Sequence, residues 1–84
     1  MNEEIVLYTK DDCPNCDVAK VALYRANIEY TTETVTPEII ENLKTIYGVG
    51  IRSLPVIEIV GDSVYTYDKL YTAIENVKLL ETNK

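Results

Sequence analysis

Eighty-four residues make one small domain, spanning 1–84, with no length left for a second core. A chain that is 46% hydrophobic and 26% charged has the make-up of a folded globular protein, which excludes disorder. Its net charge of -6, with Lys and Arg scattered singly, excludes the clustered basic face of a nucleic-acid binder.

In chain order, the acidic start Met1-Asn2-Glu3-Glu4 runs directly into a strand over Glu4 to Thr9, an almost unbroken apolar run of the kind covered on both faces. A signal peptide needs a basic start and a longer apolar stretch, and no segment reaches the roughly 20 apolar residues of a membrane span. A cytoplasmic protein without membrane contact, monomeric, is expected. The polar break Lys10-Asp11-Asp12 precedes a helix from Pro14 to about Ala26, with Ala19, Leu23 and Ala26 inward and Asn27 as its stop. Ile28 to Glu33 alternates as a short half-buried strand. Thr36-Pro37-Glu38 reads as cap, first position and first-turn acid of a second helix, with Ile39, Leu43 and Ile46 as its buried stripe and Gly48 as its end. The loop GVGIRS follows, where Arg52 reads as an ordinary loop arginine, and then Leu54-Pro55 and the strand VIEIV. Gly61-Asp62 is a hairpin signal before a strand at Ser63 to Tyr65. A last helix spans Tyr67 to about Leu80, with Leu70, Ile74 and Val77 on one face. The order βαβαββα gives an α/β fold: a four-stranded mixed sheet with helices on both faces. Seven Tyr with no Phe or Trp suggest a core tipped with hydroxyls.

The chemistry concentrates in YTKDDCPNC, which holds both cysteines of the chain, Cys13 and Cys16. Structural zinc wants four Cys or His ligands, and this chain has two Cys and no His. A structural staple gains little, because a disulfide stabilises by closing a loop and this loop is about the shortest that can be bridged. A redox pair fits better. Pro14 suits the first helical position, which places Cys13 at the helix N-cap, facing free N–H groups and the positive end of the dipole. Both favour the thiolate, the attacking species. Cys16 follows one turn along, within reach of a mixed disulfide formed on Cys13. Asp11 and Asp12 oppose the thiolate and Lys10 assists it, all three screened by solvent. A CxxC opening the first helix of a βαβ unit is the thioredoxin-like pattern.

With these pieces in place, the chain resembles a glutaredoxin over nearly its whole length. The resemblance rests on LYTKDDCPNC, the following Ala19-Lys20 and Leu23, SLPV at Ser53 to Val56, the Gly61-Asp62 turn, and Asp68 before Leu70. It implies a thioredoxin fold, dithiol–disulfide exchange with Cys13 attacking and Cys16 resolving, and a cis Pro55. It further implies that the Leu54 backbone pairs with substrate, that Lys10 meets a glutathione carboxylate, and that Asp68 and the Tyr67 backbone meet the far end. Tyr8 borders the site in the family's layout. Glutathione is then a co-substrate with no bound cofactor, and the partners are glutathione and disulfide-containing proteins. Two departures stand out. Tyr65-Thr66 occupy the place of a customary glycine pair, where side chains crowd the backbone approach, and Lys69 follows Asp68 where an acid is usual. IRSLPV and DDC resemble the glutaredoxin-like redoxins that feed ribonucleotide reductase and draw electrons from thioredoxin reductase. A redox-switched binding module is a further alternative, and an iron–sulfur carrier is disfavoured by the intact cysteine pair.

Overall fold

The computed structural model describes residues 3–51 and 53–82; Met1, Asn2, Arg52, Asn83 and Lys84 lie outside the described residues. Strands β1 (Ile5–Thr9), β2 (Thr31–Thr34), β3 (Val56–Ile59) and β4 (Ser63–Thr66) form one sheet in the order β2-β1-β3-β4. The β1–β2 pair is parallel and the other two are antiparallel, so the sheet is mixed. Helices α1 (Pro14–Arg25) and α3 (Leu70–Thr82) cover one face and α2 (Pro37–Tyr47) the other. Among the described residues no helix is long and apolar enough to cross a membrane.

The alternation of side chains along each strand divides the core in two. Ile5, Leu7, Ile57 and Ile59 meet Ala19, Leu23, Leu70, Ala73 and Val77 on the α1/α3 side. Val6, Tyr8, Val56 and Val64 meet Leu43 on the α2 side. Central strands buried on both faces explain why β1 and β3 read as continuous apolar runs.

Helix ends follow the sequence signals closely. Asn27, at φ 59, closes α1 in a Schellman arrangement: the Ile28 N–H donates to the Leu23 carbonyl at 3.0 Å and the Asn27 N–H to the Tyr24 carbonyl at 3.0 Å. Thr36 caps α2 by accepting from the Ile39 N–H at 3.2 Å, with Pro37 in the first turn. Gly61, at φ 81, takes the third position of a turn in which the Asp62 N–H donates to the Ile59 carbonyl, as a type II turn requires. Val60 therefore belongs to the turn and not to the strand.

Three further expectations need correction. The second strand lies at Thr31–Thr34, not Ile28 to Glu33, and all four of its residues are exposed. Ile28 is held in the core by the helix stop before the strand begins, and an edge strand at the sheet's border has no helix over it. Ile46 is 66% exposed; the inward row of α2 is Ile39, Leu43 and Tyr47, which leaves Ile46 at its margin. The final helix begins as a 3-10 turn over Tyr67–Lys69, so Asp68 precedes the α-helix proper.

Candidate active site

Chain direction sets the site. β1 delivers the chain to Lys10 at one end of the sheet, Asp12 turns it at φ 54, and Cys13 enters α1 in extended conformation at φ -119. Pro14 occupies the first turn, where its missing N–H costs nothing. The Cys16 N–H donates to Cys13 Sγ at 3.1 Å, so the sulfur itself is the capping acceptor. A sulfur held at a helix N-terminus with a donor aimed at it is stabilised as the thiolate.

Cys13 and Cys16 are joined by a disulfide, with Cα atoms 5.2 Å apart. Cys13 is 9% exposed and Cys16 only 2%. Cys13 lines a cleft of about 370 Å³ with Lys10, Asp12, Pro14, Asn15, Ser53 and Leu54, and Cys16 does not reach it. The two sulfurs thus differ both in their electrostatic surroundings and in access. After reduction, limiting iodoacetamide is expected to label Cys13 at least tenfold faster than Cys16, because a capped, cleft-lining sulfur is both more ionised and more accessible. Peptide mapping by mass spectrometry reads the ratio, and preferential labelling of Cys16 reverses the roles.

The Leu54–Pro55 bond is cis, as the resemblance implies, and Pro55 is buried beneath the cleft wall that Leu54 forms. Lys10, Leu54 and Cys13 are therefore brought together. Tyr67 and Asp68 are not among the residues lining that cleft. Tyr67 packs on the α1/α3 core, while Asp68 is exposed and accepts a hydrogen bond from the Thr66 hydroxyl. Tyr65 does not crowd the cleft. Its ring packs against the α1/α3 core and its hydroxyl accepts from the Asn76 amide.

Tyr8 does not border the cleft. It is buried, and its hydroxyl donates to Glu58 Oε1 at 2.6 Å. Tyr47 donates to Glu58 Oε2 at 2.6 Å and accepts from the Gly61 N–H at 3.2 Å. Glu58, 8% exposed in the middle of β3, is thereby clamped from β1 and α2, and the same network reaches the β3–β4 turn. Burial first, then the hydrogen bond to Glu58 and its charge, hold the Tyr8 hydroxyl protonated well above the usual tyrosine range. Tyr47 is pushed the same way for the same reasons, less its bond from Gly61. Glu58 was open to discovery in the sequence as the one acid inside the apolar run VIEIV.

The glutaredoxin family profile matches residues 5–64. The glutaredoxin-like protein NrdH-redoxin from Escherichia coli, whose activity profile is described as thioredoxin-like, is similar at 30% identity and TM-score 0.62, covering 82% of this chain and 92% of that one. Oxidized glutaredoxin 2 from Chlamydomonas reinhardtii is similar at 27% identity and TM-score 0.60, over 94% of this chain and 78% of that one. No curated protein matches the sequence.

Proposed function

The chain belongs to the glutaredoxin family, and from that premise we propose that it is a dithiol–disulfide oxidoreductase reducing protein disulfides and glutathione mixed disulfides, with glutathione as electron donor. The observation that carries this is the Cys13–Cys16 disulfide, whose Cys13 sulfur caps α1 and lines a cleft with Lys10 and Leu54. The Cys13 thiolate attacks one sulfur of the substrate disulfide, forming a mixed disulfide and releasing the other sulfur as a thiolate. Cys16 then gives up its proton and attacks Cys13 Sγ, which expels the second substrate thiolate and closes the Cys13–Cys16 bond. Two electrons pass to the substrate. Two glutathione thiols reverse the sequence on the enzyme and leave as glutathione disulfide.

Glutathione carries a carboxylate at each end and one ammonium. In this reading Lys10 meets one carboxylate, the Leu54 backbone beside Pro55 pairs with the extended tripeptide, and Asp68 with the Tyr67 backbone takes the ammonium end. Thr66 supports it by orienting Asp68, whose carboxylate keeps acceptor capacity beyond one hydroxyl. The inward turn of Tyr65 supports it too, since the side chain that replaces a glycine leaves the approach open.

A second reading has a specific observation behind it. The similarity to NrdH-redoxin, together with IRSLPV and DDC, supports a redoxin recycled by thioredoxin reductase and serving ribonucleotide reductase. Oxidised protein offered glutathione, glutathione reductase and NADPH, or thioredoxin reductase and NADPH, separates the two. With glutathione as donor, Lys10→Glu raises its apparent KM roughly three- to tenfold at low salt, as expected for reversing one exposed contact, with the effect shrinking at high salt. Rapid reduction by thioredoxin reductase without response to glutathione establishes the second reading. A protein that turns over no disulfide with either is a redox-switched binding module.

A further inference from the structure

Outside the cleft, the molecule carries a larger groove of about 650 Å³ on the outer face of α1 and α3. Its floor is apolar: Val18, Val21 and Ala22 from α1, Tyr71 and Ile74 from α3. Val18, Val21 and Tyr71 are 46%, 49% and 71% exposed, although the sheet-facing side of both helices is buried in the core. Asp17 and Arg25 also line the groove, and neither forms an ion pair within the described residues.

The arrangement along α1 is self-complementary. Asp17, Val21 and Arg25 stand four residues apart in one row, acid, apolar and base, and Val21 is the midpoint. The charges lie about 12 Å apart along the axis at 1.5 Å rise per residue. A two-fold axis through Val21 places Asp17 of one copy over Arg25 of the other, twice, with apolar surface between. Rows of this i±4 type are those that interdigitate when helices pack, and an isologous contact needs one patch that fits itself. A partner of a single charge sign complements only one end of the groove.

We propose that this face is a self-association surface through which two copies pair with their α1 helices antiparallel. The groove shares no lining residue with the Cys13 cleft. Because Cys13 caps the N-terminus of α1, antiparallel pairing directs the two Cys13 sulfurs away from each other and leaves both clefts open. Two helices of this length bury less than the roughly 800 Å² per partner of a standard interface, so the contact belongs with the weak, transient ones.

Sedimentation equilibrium of the full chain from about 10 µM to 1 mM, with and without reductant, tests the proposal. The expected mass rises toward twice that of the chain in both redox states. Asp17→Arg and Arg25→Asp each weaken the dimer about tenfold, because two attractive contacts become repulsive, and the double variant recovers most of the loss. Val21→Lys, which sets two ammonium groups on the axis, removes the dimer. Circular dichroism melts establish that each variant is folded. A chain that remains monomeric at 1 mM overturns the proposal, as does a folded double variant no better than the singles. Val18 and Val21 methyl signals that move only when an oxidised protein substrate is added assign the face to substrate docking instead.

Discussion

Replacing Cys13 by Ser brings disulfide exchange to background, whereas replacing Cys16 by Ser preserves attack and traps the mixed disulfide. The asymmetry follows from position. Cys13 caps α1, receives the Cys16 N–H on its sulfur and lines the cleft, while Cys16 lies one turn deeper and 2% exposed. A serine hydroxyl at position 13 can still cap the helix, so the fold survives and the loss is one of chemistry. It lacks a thiolate to attack with, and the remaining thiol lies outside the cleft. The Cys16→Ser protein keeps the nucleophile but has no second sulfur to expel the bound substrate thiol. Intact-mass spectrometry after exposure to a disulfide-bearing protein should find no adduct on Cys13→Ser and a single persistent adduct on Cys16→Ser. A persistent adduct on the Cys13→Ser protein instead exchanges the two roles.

Glu58→Ala is expected to cost about 3 kcal/mol, since it strips a buried Tyr8 hydroxyl of its partner and opens a void beneath α2. For a domain of this size that is a fall in Tm of roughly 12–24 °C. Glu58→Gln keeps the shape and one carbonyl acceptor, so its loss is smaller, about 1 kcal/mol. The same network gives stability an alkaline limit. Tyr8 stays protonated in the folded protein at pH values where an unfolded tyrosine, with pKa near 10, has ionised. The unfolded chain then binds fewer protons than the native one, so stability falls as pH rises. The contribution is fully present below about pH 10 and is lost above it, at up to about 1.4 kcal/mol per pH unit, until the folded hydroxyl itself ionises. Tyr8→Phe should flatten that decline. Urea midpoints at pH 9 and pH 11 for the two proteins measure it, and equal slopes exclude Tyr8 as the cause.

Residues with strong local preferences declared their structure in the sequence. Pro14 and Pro37 in first helical turns, Thr36 as a cap, and Asn27 and Gly48 at positive φ all act through their own backbone chemistry, which needs no knowledge of neighbours. The position of Cys13 followed from Pro14 alone. What stayed hidden depends on contacts between distant segments. The exposed character of Thr31–Thr34 follows from its place at the sheet edge, which only strand order reveals. The exposure of Ile46 follows from Tyr47, whose inward reach is explained by Glu58 on β3. The family's layout set Tyr8 at the border of the site, but strand alternation and Glu58 take it to the α2 side. Tyr65 reads as an obstruction in the sequence, but its ring packs against the α1/α3 core. The excess of tyrosine over other aromatics was the one compositional sign of this network: its hydroxyls serve Glu58 and Asn76 from within or beside the core.

The central claim, that this cysteine pair carries two electrons to a disulfide, is tested most directly by mixing fully reduced protein, without air, with a limiting disulfide-bonded peptide and mapping both products by mass spectrometry. The account predicts that for each peptide disulfide opened, one chain loses both thiol hydrogens and yields the Cys13–Cys16 cross-linked fragment. A peptide that stays oxidised beside a protein that stays dithiol, under conditions where dithiothreitol reduces the same peptide, would contradict it.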